Sequence, residues 1–83
     1  MNRQKLLKKI IGSSKNIRFS DMVYLVRGFG FELSRTEGSH HIFFHPDIPE
    51  LVNLQNVKGQ AKPYQIRQLL KLVEKHNLKL EDE

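Results

Sequence analysis

Phe31-Glu32-Leu33-Ser34-Arg35-Thr36-Glu37-Gly38-Ser39-His40-His41-Ile42-Phe43-Phe44-His45 is the stretch that decides the fold. Residues 31–36 alternate apolar and polar side chains with a period of two, and residues 40–45 do the same. Glu37-Gly38-Ser39 between them has the composition of a tight turn. The pattern predicts a β-hairpin. After the loop Pro46-Asp47-Ile48-Pro49, residues 51–54 predict a third strand, and residues 56–62 read as a polar loop.

Helical periodicity flanks the hairpin on both sides. Upstream, Ser20 is suited to cap a helix, Asp21 to sit at its positive end, and Phe19 to staple onto Tyr24. Met22, Leu25, Val26 and Phe29 then fall at i, i+3, i+4 and i+7, and Gly28 and Gly30 end the helix. Downstream, Pro63 suits a first helical turn, and the helix it opens runs to about His76. That helix would bury Ile66, Leu69, Leu70 and Val73 and expose Arg67, Lys71 and Lys75 as a basic stripe at i, i+4 and i+8. Residues 3–13 predict a short extra helix with Leu6, Leu7, Ile10 and Ile11 on one side, an appendage ended by Gly12-Ser13-Ser14-Lys15-Asn16. Elements of one type cluster along the chain, which argues for an α+β fold: a three-stranded antiparallel sheet with helices on one face and the other face free. The expected organisation is a single domain over 1–83. It comprises an N-terminal helical extension over 1–17, a core over 18–77 and an acidic tail over 78–83, of which Glu81-Asp82-Glu83 is expected to be frayed and has no assigned role.

At 83 residues there is room for one core only, with roughly 60% of the unfolded surface buried on folding. Zero cysteines exclude a disulfide framework and thiolate zinc or iron–sulfur sites. Fourteen Lys and Arg against nine Asp and Glu leave a net charge of +5. That surplus favours a phosphate-bearing or acidic partner. No apolar run approaches the roughly 18 residues of a membrane span. Met1-Asn2-Arg3-Gln4-Lys5 lacks the apolar core of a signal peptide, so the reading places the protein in the cytoplasm. Lys5-Leu6-Leu7-Lys8-Lys9-Ile10-Ile11 is basic and amphipathic but has no aromatic anchor, and no membrane partner is expected.

The chemistry-bearing residue is His40, an imidazole that titrates near neutrality, placed just past a turn glycine in a basic chain. The plain alternative is a half-buried strand histidine. His41 and His45 share the opposite strand face and sit roughly 13 Å apart, so the three cannot chelate one ion. His76 is expected as a cation at the C-terminal end of its helix. The stripe of Arg67, Lys71 and Lys75 suits either a solvated face or an RNA backbone, and Lys62 before Pro63 places a cation beside free helix amides. Ile42 and Phe44 share the face of His40 and suit base stacking or partner docking.

The run Gly38-Ser39-His40-His41 through Phe43 and His45-Pro46-Asp47, followed by Ala61-Lys62-Pro63-Tyr64 opening a helix, resembles HicA-type toxins of prokaryotic toxin–antitoxin pairs over residues 19–76. The resemblance implies a double-stranded-RNA-binding-domain-like fold, α-β-β-β-α, and an endoribonuclease that cuts mRNA until a HicB-type antitoxin covers its active site. His40 matches the family's catalytic histidine and Gly38 its glycine. On that basis His40 would take the proton of a ribose 2′-hydroxyl, with no metal or other cofactor, while Gly38, Ser39 and His41 support the site. Lys62, with Arg67, Lys71 and Lys75, would bind RNA. The chain departs from the family at Phe44, where Arg or Lys is frequent. It departs again at Asn53-Leu54-Gln55-Asn56, where a proline with a basic residue or histidine is usual. A non-catalytic RNA-binding module, or a catalytically decayed toxin of the same fold, and a docking domain for an acidic protein are the competing readings.

Overall fold

The computed structural model of the chain describes residues 2–81; Met1 and the tail residues Asp82 and Glu83 lie outside them. Element order is α1 (Arg3–Gly12), α2 (Phe19–Gly28), β1 (Glu32–Glu37), β2 (His40–His45), β3 (Ile48–Val57), β4 (Gln60–Ala61) and α3 (Pro63–His76). The strands form one antiparallel sheet in the order β1-β2-β3-β4. Helices α2 and α3 pack on one face of it. Phe43, Val52 and Leu54 of the sheet meet Met22, Leu25, Val26, Ile66 and Leu69 of the helices in one core.

The sheet has four strands, not the three expected, and β3 is longer than residues 51–54. Residues 56–62 are a second hairpin. Val57 pairs with Gln60 across Lys58-Gly59, and both turn residues have positive φ, 52° and 83°. That is the backbone of a type I′ turn, which matches the twist of paired strands. The Asn56 Oδ1 accepts from the Gly59 N–H at 2.8 Å and fixes the turn. Polarity alone hid this strand, because its two residues sit at an edge and only Ala61 is buried.

One end of α2 departs from the expected chemistry. Helix α2 starts at Phe19, one residue before Ser20, with Arg18 at its cap and no side-chain cap bond. The Phe19 N–H instead donates to the Gly59 carbonyl at 2.9 Å, so a backbone group of the second hairpin does the work expected of Ser20. Phe19 lays its ring on His41, and the Arg3 guanidinium covers Tyr24. The other end follows expectation. Gly30 has φ of 97°, its N–H reaches the Arg27 carbonyl, and the Phe31 N–H reaches the Val26 carbonyl, which together make a Schellman motif. A Cβ at Gly30 would stand 2.8 Å from His45 Nε2, so this glycine also admits the His45 ring, which packs edge-on against Phe31.

Helix α1 is not an appendage. Leu6 and Ile10, both 1% exposed, sit in the core with Ile17. Leu6 and Ile10, half of the apolar side that a membrane surface would need, are therefore already covered. The chain after α3 is not frayed as far as Glu81 either. Asn77 turns it in the left-handed region, Leu78 and Leu80 pack on the core, and the Glu81 N–H donates to the Gly28 carbonyl at 2.7 Å.

The end of α3 is tied to β3 through Glu50, which accepts from Lys75 Nζ at 2.7 Å and meets His76 Nε2 at 2.9 Å. The Lys75 ammonium, helped by the Glu50 amide and His76 against partial desolvation, holds the Glu50 carboxyl down at about 2 from an ordinary 4.5. A carboxyl whose pKa is lowered on folding stabilises the fold above its unfolded value and loses that contribution as pH falls through the folded one. Glu50→Gln is therefore expected to lower urea stability slightly at neutral pH. The gap from wild type should close between pH 4.5 and about 2. A gap that stayed constant down to the lower limit would show the pair to be inert.

Candidate active site

Alternation along β2 divides its histidines between two faces. His41 and His45 point to the helices, where their rings meet Phe19 at 4.6 Å and Phe31 at 5.2 Å between centroids. His40, Ile42 and Phe44 point to the open face of the sheet. His40 opens β2 directly after the turn Gly38-Ser39, which spans two residues because Glu37 pairs with His40 across it. Gly38 takes φ of 60° and Ser39 does not, the pattern of a type II′ turn. No neighbouring atom would touch a Cβ at Gly38, so its requirement is conformational.

The register then decides what surrounds His40. On β3 its partner is Gln55, whose Nε2 donates to Ser39 Oγ at 3.2 Å. Asn53, two residues away on the same face, sets its Oδ1 3.2 Å from His40 Nδ1. On β1 the pairing slips between Leu33 and Arg35, so the extra residue Ser34 forms a bulge. An unbroken period of two would keep Arg35 and Glu37 on the face of Leu33. The bulge turns them to the face of His40, where Arg35 lies opposite Ile42 and pairs with Glu37 in an ion pair.

Beneath this end of the sheet sits Gln65, 2% exposed. Its Oε1 accepts from the Gln55 N–H at 2.7 Å and its Nε2 donates to the Tyr64 hydroxyl at 3.4 Å, so a buried amide locks the first turn of α3 to the strand beside His40. Lys62, at the cap of α3, is thereby held at the same end, its Nζ 5.9 Å from the Tyr64 ring centroid. Ser39 closes the arrangement: its carbonyl accepts from the Asn56 N–H at 2.9 Å and faces His41 Nδ1 at 3.2 Å.

The basic stripe lies elsewhere. Arg67, Lys71 and Lys75 are exposed on α3, in the helical layer, away from the face that His40 presents. Lys75 is engaged by Glu50. Gly38, Ser39, His40 and Lys62 thus come to one end of the sheet, and the stripe does not join them. Asn53, Gln55 and Arg35 do join them. The sequence marked the first two only as positions short of positive charge, and Arg35 could be placed only once the bulge was known. The exposed apolar side chains of this face also include Phe44, Leu51 and Val57, 37%, 53% and 39% exposed.

A family model described as the HicA toxin of bacterial toxin–antitoxin systems matches residues 19–74. The chain belongs to the HicA toxin family. This HicA protein is accordingly the toxin of a toxin–antitoxin system, and its α+β sheet with helices on one face fits the double-stranded-RNA-binding-domain-like fold, with one short strand added. No curated protein and no solved structure gives a significant match. The match begins at the first residue of α2, so α1 lies outside the matched span although it supplies Leu6 and Ile10 to the core. Among the described residues, no helix is long and apolar enough to cross a membrane, and no group of three or more His, Asp or Glu could hold a metal ion.

Proposed function

We propose that this HicA toxin is a cytoplasmic endoribonuclease that cuts mRNA without a metal ion and is held in check by a HicB-type antitoxin. The observation that carries the proposal is the half-buried His40 on an open sheet face, next to a turn whose backbone is shaped by Gly38. Neutral His40 removes the 2′-hydroxyl proton, and the oxygen attacks the adjacent phosphorus. The bond from phosphorus to the 5′-oxygen of the next nucleotide breaks, that oxygen takes a proton from water to become a hydroxyl, His40 returns its proton to solvent, and a 2′,3′-cyclic phosphate remains. Positioned donors stabilise the charge that develops on the phosphorane. The Ser39 hydroxyl, Lys62 and Arg35 are the donors at this end of the sheet. Arg35 supplies a cation on the face where Phe44 does not, and a phosphate there would compete with Glu37 for it. Ile42 and Phe44 offer an apolar surface to an unstacked base. His41 supports the site from below, its ring wedged between Phe19 and the Ser39 carbonyl. Arg67 and Lys71 contact RNA only where it wraps past the sheet edge onto α3.

The experiment that tests this reading is cleavage of one oligoribonucleotide and its counterpart with a single 2′-deoxynucleotide at the cut position. The expected result is cutting of the first and an intact bond in the second. Cutting of both would remove the 2′-hydroxyl from the mechanism. Salt-sensitive binding of both with neither cut would instead make the chain an RNA-binding module.

A further inference from the structure

The Asn53 amide turns its oxygen toward the His40 ring, with Oδ1 3.2 Å from Nδ1. An amide oxygen accepts hydrogen bonds and cannot donate them, so with Oδ1 in that place the bond forms only when Nδ1 carries hydrogen. We propose that Asn53 is a positioning residue that holds neutral His40 as its Nδ1–H tautomer and so leaves the lone pair on Nε2 for the ribose hydroxyl. This rests on the reading of His40 as general base. It adds to that reading the nitrogen that acts and the residue that selects it.

Three observations support the assignment. Asn53 pairs with Ile42 and therefore shares the open face with His40, held there by strand register and not by a loop. Gln55, the direct partner of His40, is occupied elsewhere, its side chain on Ser39 and its backbone N–H on Gln65. Glu37, the β1 partner of His40, directs a carboxylate oxygen to Arg35. Asn53 is thus the acceptor that meets Nδ1. The consequence is chemical. A neutral histidine free in water favours hydrogen on Nε2, the form in which the outward nitrogen has no lone pair to accept a proton. The bond to Asn53 reverses that preference, as second partners of functional histidines do elsewhere.

The test is nitrogen-resolved NMR of the imidazole groups in the full chain at about pH 8, above the ordinary histidine range near 6.5. In the wild type, His40 should show a protonated Nδ1 and an unprotonated Nε2. Asn53→Ala should shift the ring toward the Nε2–H form and lower cleavage by about five- to tenfold, the size of one net hydrogen bond. Asn53→Asp, which keeps an acceptor, should restore the wild-type tautomer. A protonated Nε2 in the wild type, or a spectrum unchanged by Asn53→Ala, would overturn the proposal. The expected spectra with RNA left uncut would overturn the general-base reading, and the positioning role with it, while the tautomer itself stood.

Discussion

His40→Ala is expected to lower RNA cleavage by about 10²- to 10⁴-fold, the usual contribution of a general base. The fold should survive the change. His40 stands on the open face of the sheet and its side-chain partner is the exposed Asn53, so thermal stability should stay within about 0.5 kcal/mol of wild type. The neighbouring histidine gives the contrast. His41→Ala removes a ring that packs on Phe19 inside the helical layer and should cost stability. Parallel measurement of cleavage and melting in both variants separates the two faces of one strand. Comparable cleavage by His40→Ala and wild type would remove His40 from the chemistry. Comparable melting of His41→Ala and wild type would contradict its packing role.

Leu6→Ala and Ile10→Ala are each expected to destabilise the protein by about 2–5 kcal/mol, although both lie outside the span that matches the family. In a domain of this size that lowers Tm by roughly 10 °C or more. The two side chains sit one helical turn apart and are buried with Ile17 against the rest of the core. A small domain has little apolar area to spare. Ile11, on the same helix but 65% exposed, is the internal control, and Ile11→Ala should change stability by no more than about 0.5 kcal/mol. Melting of the three variants decides the matter. If Leu6→Ala and Ile10→Ala melted like Ile11→Ala, α1 would be the appendage that its sequence suggests.

Much of the fold was legible because its signals are local. The hairpin from Phe31 to His45 follows from alternation around one glycine, and α3 follows from Pro63 and a stripe of Ile66, Leu69, Leu70 and Val73. What escaped depends on groups that meet only after folding. The cap of α2 is the Gly59 carbonyl, and Gly59 lies far along the chain from Phe19. Strand β4 is two residues long and depends on its partner and on Arg18 to exist as a strand. Nothing in the chain order separates Leu6 and Ile10 of a core helix from the same residues on an appendage.

The site divides along the same line. Gly38, Ser39 and His40 are consecutive, so their grouping could be read directly, and the placement of His41 on the opposite face follows from the strand period. Arg35 could not be assigned, because the bulge at Ser34 reverses its face and a one-residue slip inverts everything beyond it. Asn53 and Gln55 looked like a loss of charge. In the folded sheet they are the amide groups nearest His40 and Ser39, which only cross-strand register could reveal. The stripe of Arg67, Lys71 and Lys75 is exposed and basic, as helical spacing predicts. Its distance from His40 was hidden, since the sheet separates the two faces.

Metal-free cleavage by His40 is tested by identifying the RNA ends left by the purified wild-type toxin in the presence of EDTA. Cleavage should survive chelation, with a 2′,3′-cyclic phosphate on one fragment and a 5′-hydroxyl on the other. Fragments with a 3′-hydroxyl and a 5′-phosphate, or cleavage that stops when metal is removed, would contradict it.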